Sequence, residues 1–426
     1  MAESKSTNYL KGKRFLLTQN SLMFISGSEV STLELADYLK SSGAEVVVYT
    51  YYFAEPVKRY FLEKDIKVID NDDEELKISD FDYIWVQHQI LPIGIIKDFR
   101  EGLQELNKKF VFYHMSSLDT VPFERPYIWD LEKKLSSKTL FNSLENRDKL
   151  AHYFSKEIKL DIYPNPVPVS FSKVKPAHNR KLNNILIVSN HPPEEVIRAK
   201  AVLKEKGYDV TSYGDSQDKT AIVTPEIISD YDLVVTIGKT VQYCLVAGIP
   251  VYVYDHFGGP GYLNEKNFDS AAYANFSGRY SSKKSAEKIC DEIVHGFTKA
   301  DEYHYSNREK FMEQFLMPNV FRRVIGNIKS VKFSKFDENY IDYLTDSHNL
   351  IREKMVSIFY LMGVEKEKNK IIAEKDRQID KCIADKNEQL SVLLSSRVYR
   401  TGSAVTAPYR ILKRAVQTIL FRNGKS

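Results

Sequence analysis

Small residues follow the first apolar run of the chain and are of a kind that lets a ligand approach backbone N–H groups. Residues 26–29 read Ser-Gly-Ser-Glu and precede a stretch with helical spacing. In an open α/β sheet, anionic ligands bind at such helix starts, beyond the carboxyl ends of the strands. A G-x-G-x-x-G fingerprint is missing, so a dinucleotide site is not indicated. We interpret Gly27 and Ser28 either as ligand contacts or as a simple helix cap.

A second candidate for anion binding is Gly238-Lys239-Thr240, which follows the apolar run 233–237. It resembles the end of a phosphate-binding P-loop, but that motif needs a glycine where this chain has Leu233, so a Walker A site is excluded. A cation and a hydroxyl at a helix N-terminus remain, and these bind anions. The alternative is an exposed lysine beside a capping threonine.

Three glycines and a proline follow the apolar run that ends at residue 254, in the sequence DHFGGPGY of residues 255–262. A loop of this composition has the backbone freedom to surround a phosphate, and its aromatic residues can cover a base or sugar. We therefore predict a ligand-binding loop there. Its candidate contacts are His256, Gly258, Gly259, Pro260, Gly261 and Tyr262.

Two histidines follow apolar runs and are candidates for proton transfer. His114 comes after residues 110–113 and His88 after residues 83–86, so both are expected at the ligand-binding edge of a sheet. We rank His114 first. Asp70-Asn71-Asp72 resembles a metal-binding DxD, but it lies in the acidic run DNDDEE, so we interpret it as a solvated loop and predict no metal site.

The elements that must position these residues alternate between strand and helix. Apolar runs at 15–17, 45–50, 83–86, 110–113 and 138–142 predict strands, and residues 30–39 have helical spacing. The same rhythm restarts after residue 180, with strands at 185–188, 209–213, 234–237 and 251–254. Uninterrupted apolar runs are typical of parallel strands buried on both faces. The chain is therefore predicted to contain two parallel sheets covered by helices.

Alternating prolines in YPNPVPV, residues 163–169, cannot continue a helix and mark a boundary. We predict an N-terminal domain at 1–172, a second α/β domain at 173–334, a helical extension at 335–390 and a tail at 391–426. Residues 365–394 carry an imperfect heptad pattern. That pattern is compatible with a homodimeric coiled coil or with a solvated helix.

Composition and charge exclude several classes of protein. The chain has 426 residues, 43% hydrophobic and 28% charged, with three cysteines and a net charge of +4. These values exclude collagenous, fully disordered and disulfide-framed chains, and the cysteines favour a reducing cytoplasm. No secretory signal or transmembrane run is apparent.

The basic charge is concentrated at the C-terminus. Residues 391–426 contain seven basic and no acidic side chains, interleaved with apolar ones, while the first 390 residues carry a net charge of −3. Such a segment is expected to bind an anionic membrane surface, with a solvated tail as the alternative. Nucleic acid is not predicted, because no supporting motif is present. The candidate membrane contacts are Arg397, Arg400, Arg410, Lys413, Arg414 and Arg422.

Several motifs, taken in order, resemble one family of enzymes. GSE at 27–29, LELADYLK at 33–40 and GAEVVV at 43–48 are similar to the N-terminal signature of bacterial GT-B glycosyltransferases of the family-4 and family-1 type. FNS at 141–143, YPNPV at 163–167 and AGIPV at 247–251 resemble later markers of that family. DHFGGPGY with NFSGR at 275–279 is similar to a subgroup that makes cell-surface polysaccharides.

This resemblance implies two Rossmann-like domains that face each other across a cleft, an α/β fold of the GT-B class, with a helical tail. It implies that the C-terminal domain holds most of the nucleotide sugar and that the N-terminal domain holds the acceptor. It implies that Lys239, Thr240 and the glycines of 258–261 hold a donor diphosphate, and that Gly27 and Ser28 approach from the other side. His114 then lies near the reacting sugar. No metal or other cofactor is implied. One feature departs from the family: where retaining members carry Glu-x₇-Glu, this chain has Val235 and Tyr243.

The function predicted first is a glycosyltransferase that moves a hexosyl or deoxyhexosyl unit from a nucleotide sugar. Its acceptor would be a lipid-linked precursor of a cell-surface polysaccharide, at the cytoplasmic face of a bacterial membrane. Two alternatives stay open, and the missing glutamates motivate the first of them. One is a non-catalytic partner subunit of a glycosyltransferase complex, and the other is a nucleotide-sugar epimerase of the same fold.

Overall fold

Two separate sheets organise the chain in a computed structural model. The structure describes residues 9–101, 108–116, 118, 121, 124, 128–154, 158–177, 179–214, 219–332, 335–398, 400–402 and 404–409. The first sheet has the order β3-β2-β1-β4-β5-β6-β7, and the second has the order β12-β11-β10-β8-β9. The strands are β1 Arg14–Gln19, β2 Glu45–Thr50, β3 Lys67–Ile69, β4 Tyr83–Gln87, β5 Lys109–His114, β6 Ser136–Phe141, β7 Leu160–Ile162, β8 Asn184–Val188, β9 Asp209–Tyr213, β10 Leu233–Thr236, β11 Val251–Asp255 and β12 Gly258–Tyr262.

Helices connect the strands and cover both sheets. They are α1 Gly27–Ser41, α2 Lys58–Glu63, α3 Ile93–Asp98, α4 Trp129–Leu135, α5 Leu144–Leu150, α6 Val169–Ser172, α7 Glu194–Glu205, α8 Pro225–Ser229, α9 Lys239–Ala247, α10 Phe268–Tyr273, α11 Ala286–Ser306, α12 Arg308–Phe315, α13 Met317–Ile325 and α14 Glu338–Ser395. Within the described residues every strand pairing is parallel except the one between β11 and β12.

The nine strands predicted from apolar runs are confirmed, because each run is buried between helical layers. Leu16, Ile84 and Phe112, on adjacent strands of the first sheet, are fully or almost fully buried. Leu186, Val234 and Val251 are likewise fully buried in the second sheet. Three strands were not predicted: β3, β7 and β12. Each lies at the edge of its sheet, where a strand does not need a continuous apolar run.

The chain returns to the first sheet after completing the second. The backbone N–H of Val167 donates to the carbonyl of Phe315 (2.8 Å), and the N–H of Met317 donates to the carbonyl of Val167 (2.8 Å). Beyond this crossing, Phe321 of α13 stacks on Trp85 of β4 with ring centroids 6.4 Å apart. The predicted span 173–334 therefore includes a helix that packs on the first sheet.

The first part of α14 also packs on the first sheet. The Tyr51 hydroxyl lies 3.3 Å from Nδ1 of His348, whose Nε2 lies 3.3 Å from Oδ2 of Asp72. Ile341 and Leu344 add apolar contacts. The compact body thus extends to Val356.

An ion pair, in addition to packing, joins the two halves of the chain. The guanidinium of Arg279 contacts the buried carboxylate of Glu145 in α5, which also accepts hydrogen bonds from Tyr280 and Lys149. Burial opposes ionisation of Glu145, but these donors outweigh it and lower its pKa from 4.5 to about 2. The carboxylate therefore stays charged at neutral pH.

The unit that starts at Ser357 is helical. Ile372, Ile379 and Ile383 of the heptad pattern are exposed along α14. The homodimer through 365–394 stays a prediction. Arg397 and Arg400 are helical, whereas Arg410, Lys413, Arg414 and Arg422 lie outside the described residues. No helix among the described residues is long and apolar enough to cross a membrane.

Candidate functional site

A cleft of about 510 Å³ lies where the carboxyl ends of strands from both sheets meet. Its size is within the range of small-molecule sites, and its position is the one expected for ligands of parallel α/β sheets. Several polar side chains or backbone groups from each half line it. From the first half these include Ser26, Gly27, Ser28, His88, Glu124 and Asn142, and from the second Ser189, Asn190, Gly238, Lys239, Thr240, Asp255 and His256.

The N-terminus of α1 forms one wall of the cleft. Ser26 precedes the helix in an extended conformation, and no side-chain hydrogen bond caps it. The buried carboxylate of Glu29 instead accepts the backbone N–H groups of Met23 and Phe24, at 3.2 and 2.9 Å, which fixes the preceding loop. Burial raises the pKa of Glu29. The loop thus leaves the first N–H groups of α1 for a ligand.

The N-terminus of α9 forms the facing wall. Gly238 precedes it with φ +62° and ψ −136°, a conformation that requires glycine, and α9 also has no side-chain cap. The predicted residues Gly27, Ser28, Gly238, Lys239 and Thr240 therefore all line one cleft. Two helix N-termini, each favourable for negative charge, face the same space.

The side chain of Lys239 does not extend freely into this space. Its Nζ lies 2.7 Å from Oε2 of Glu34 in α1, and it donates to the carbonyl of Pro166 at 3.2 Å. Lys239 is 8% exposed. Burial raises the pKa of Glu34, while the Lys239 charge and the hydroxyl of Tyr243 oppose that rise. The structure therefore offers a ligand the backbone of Lys239, while its ammonium group is bonded to Glu34.

His114 lies behind the cleft rather than on its wall. Its Nε2 is 3.2 Å from each carboxylate oxygen of Glu132, and its ring stacks on Phe141. Although burial lowers the pKa of His114, the charge and hydrogen bond of Glu132 outweigh burial, so the pKa is raised. These contacts describe a buried imidazole that supports β5 and α4.

His88 does line the cleft. Its backbone has φ +53°, and the next residue, Gln89, has φ +55°, so the chain turns sharply at the end of β4. Nε2 of His88 lies 3.3 Å from Oε1 of Glu124, and Nδ1 accepts the backbone N–H of Asn20 at 3.4 Å. Accepting at Nδ1 places the proton on Nε2, facing the carboxylate. Glu124, which sequence reasoning missed, thereby forms a hydrogen-bonded pair with His88 at the cleft.

Asp255 is a second carboxylate at the cleft, and it was not among the contacts predicted from the sequence. Its Oδ2 accepts the hydroxyl of Ser189 at 2.9 Å, and its Oδ1 accepts the backbone N–H of His256 at 2.8 Å. Burial raises the pKa of Asp255 despite these bonds. Its signal in the sequence was its place directly after the apolar run 251–254, as the first residue of the glycine-rich segment 255–262.

The predicted phosphate-wrapping loop at Gly258–Tyr262 is a strand, which corrects that prediction. It pairs antiparallel with β11, and a Cβ on Gly259 would lie 2.0 Å from the carbonyl oxygen of Val253. The glycines allow close packing of backbones at the sheet edge. Gly258, Gly259, Pro260, Gly261 and Tyr262 do not line the cleft, whereas His256 does.

Val235 and Tyr243, which stand where retaining members of the family carry glutamates, both have structural contacts. Val235 is buried in β10. Tyr243 stacks on Phe171 with centroids 4.2 Å apart, and its hydroxyl donates to Glu34. Among the residues that the structure describes, no group of three or more His, Cys, Asp or Glu side chains is arranged to hold a metal ion.

Comparisons with known proteins identify the fold. No protein-family model matches the chain, and no curated protein sequence matches it. A glycosyltransferase from Rickettsia africae has a similar structure, with a TM-score of 0.50 and 12% identity over 73% of this chain and 96% of that one. A putative UDP-N-acetylglucosamine 2-epimerase from Listeria monocytogenes matches with a TM-score of 0.42 and 12% identity, over 76% of this chain and all of that one. TcCGT1 in complex with UDP matches with a TM-score of 0.43 and 10% identity, over 80% of this chain and all of that one.

The Rickettsia comparison and the two parallel-dominated sheets confirm the predicted fold class. The chain has the GT-B fold, with two Rossmann-like halves and a helical C-terminal region.

The Lys239–Glu34 pair predicts a folding phenotype. Lys239→Met should lower the free energy of unfolding by about 3–5 kcal/mol, because it leaves the Glu34 carboxylate buried without its cation. Adding Glu34→Gln should recover most of that loss, as measured by urea-induced unfolding of both variants. Unchanged stability of Lys239→Met would contradict the pairing.

Proposed function

We propose that this chain is a glycosyltransferase that uses a nucleotide sugar as donor. The observation that carries the proposal is that two helix N-termini without side-chain caps, those of α1 and α9, line one cleft of the GT-B fold. Such an arrangement suits a diphosphate, because both helix dipoles and free N–H groups favour negative charge. Nucleoside diphosphate is also the leaving group of sugar transfer from such donors.

The donor diphosphate is proposed to lie between these helix starts. Gly27 and Ser28 contact it from one side, and the backbone of Lys239 with the hydroxyl of Thr240 from the other. Oriented dipoles that do not reorganise during the reaction stabilise the charge that develops on the leaving group. His256, which directly follows β11 and lines the cleft, is proposed as a further donor contact.

The proton of the acceptor hydroxyl is proposed to go to Glu124, with His88 as its hydrogen-bonded partner. Glu124 lies on the first-sheet side, where the acceptor is expected, and it lines the cleft. His114 was the residue predicted from sequence for this neighbourhood, but it is held by Glu132 behind the wall. We therefore transfer the proposed catalytic role from His114 to the pair of Glu124 and His88.

The acceptor is proposed to be a lipid-linked precursor of a cell-surface polysaccharide, and the transferred unit a hexose or deoxyhexose. The support for a membrane acceptor is the basic C-terminal segment, which would keep the enzyme on the inner face of the membrane. The support for a polysaccharide is the similarity of residues 255–262 and 275–279 to that subgroup.

A second candidate function is a non-catalytic partner subunit of a glycosyltransferase complex. The observation that favours it is the loss of both family glutamates, with Val235 in the core and Tyr243 bonded to Glu34. Transfer of sugar by this chain alone, with donor and acceptor supplied, would exclude this candidate.

The diphosphate site predicts opposite effects of one substitution on folding and on binding. Gly27→Asp should weaken nucleoside diphosphate binding by about ten- to a hundredfold, because it places a like charge beside the ligand. It should also stabilise the fold by about 0.3–1 kcal/mol, since an acidic residue at a helix N-terminus is favourable. A Cβ at this position meets no atom within 4 Å.

The matched control is Gly27→Asn, which has the same size and no charge. Calorimetry should use whichever nucleoside diphosphate of a panel binds the unaltered chain, and thermal unfolding should be measured in parallel. Equal affinities of the Asp and Asn variants, or no binding of any member of the panel to the unaltered chain, would contradict the proposed site.

The membrane proposal predicts loss of vesicle binding on truncation. A chain that ends at Asn387 should float with anionic vesicles far less than the full chain, since it lacks the seven basic residues of the tail. Flotation with uncharged vesicles serves as the control. Equal flotation of both chains with anionic vesicles would refute the anchor.

A further inference from the structure

A second concave surface lies at the opposite edge of the first sheet from the cleft. This basic groove, of about 410 Å³, is lined by residues at the starts of β6 and β7, by α4 and by residues 323–331. The backbone N–H of Val331 donates to the carbonyl of Lys108 (3.0 Å), which directly precedes β5. This bond holds the wall formed by residues 323–331 against the amino end of the first sheet. The groove is therefore built by the fold and is separate from the proposed donor site.

Five cationic side chains line the basic groove: Lys133, Lys138, Lys159, Arg323 and Lys329. Lys138 is held by Asp161 at 2.6 Å and by the carbonyl of Val324 at 3.0 Å, so it forms a neutralised part of the wall. Among the described residues, no carboxylate forms an ion pair with the other four. The groove thus concentrates positive charge that no carboxylate of the described residues balances.

The local sequence reinforces this charge. Residues 318–336 contain five basic and no acidic side chains. Like charges gathered in a concave surface repel one another, and an anion bound there relieves that repulsion. This part of the chain therefore favours a negatively charged ligand.

We propose that the basic groove binds a phosphate-bearing ligand, either a soluble polyphosphorylated molecule or the headgroup of an anionic lipid. Ammonium groups, a guanidinium and the hydroxyls of Ser136 and Ser137 form the donor set that recognises phosphate oxygens. No aromatic side chain lines the groove among the described residues. A single-stranded nucleic acid, which needs stacking surfaces for its bases, fits this surface less well.

The test uses inorganic tripolyphosphate as the soluble probe, measured by calorimetry on the full chain. The variant Lys159→Gln/Arg323→Gln/Lys329→Gln removes three exposed charges of the groove and should weaken binding at least about tenfold. A matched control, Lys266→Gln/Lys299→Gln/Lys310→Gln, removes the same charge from exposed positions elsewhere and should bind like the unaltered chain.

A further control separates the groove from the cleft. Gly27→Asp should leave tripolyphosphate binding at the groove intact, so the proposal does not depend on the proposed enzymatic function. If Gly27→Asp abolishes binding while the groove variant retains it, the anion occupies the cleft and the proposal is overturned.

The second arm uses phosphatidylcholine vesicles with and without phosphatidylglycerol. Reduced flotation of the groove variant, relative to the matched control, identifies a lipid headgroup as the ligand. An effect on tripolyphosphate alone identifies a soluble ligand. If the groove variant and the matched control behave alike in both arms, the proposal is wrong. A third arm measures binding of single-stranded DNA. If the groove variant loses only this binding, with the tripolyphosphate and vesicle results unchanged, the proposal is also overturned.

Discussion

A buried ion pair between Glu34 of α1 and Lys239 of α9 fixes the geometry on which the cleft depends. The two residues are far apart in the sequence, yet their charged groups lie 2.7 Å apart, away from water. Because each charge is costly to bury without the other, the pair holds the start of α9 against α1. Both helix N-termini then face the same space. The same bond withdraws the Lys239 ammonium from the ligand, so the proposed diphosphate site relies on backbone N–H groups.

Much of the fold was predictable from the sequence, because parallel strands buried on both faces need uninterrupted apolar runs. The side-chain contacts were not. Nothing near Lys239 in the sequence points to Glu34 as its partner. His114 and His88 follow similar strands, and only the packing of α4 buries the first beside Glu132. The glycines of β12 suggested a flexible loop. In the structure, Gly259 is instead required for close packing, because a Cβ there would overlap the backbone of Val253.

Groups suited to binding anions lie at opposite edges of the first sheet. At the carboxyl ends of the strands, the cleft offers helix N-termini and buried carboxylates such as Glu124 and Asp255. At the amino ends, the basic groove offers side-chain cations with little internal balance. Helix N–H groups are suited to holding a diphosphate in one orientation, whereas side-chain cations on long stems are suited to binding phosphate without one fixed geometry. The small net charge of +4 conceals this division.

The most direct test of this account is a crystal structure of the chain with a bound nucleoside diphosphate. The account predicts a diphosphate in contact with the backbone N–H groups at the starts of α1 and α9, with Lys239 still paired with Glu34. A diphosphate bound away from these helix starts, or a Lys239 side chain that has left Glu34 to contact it, would contradict the account.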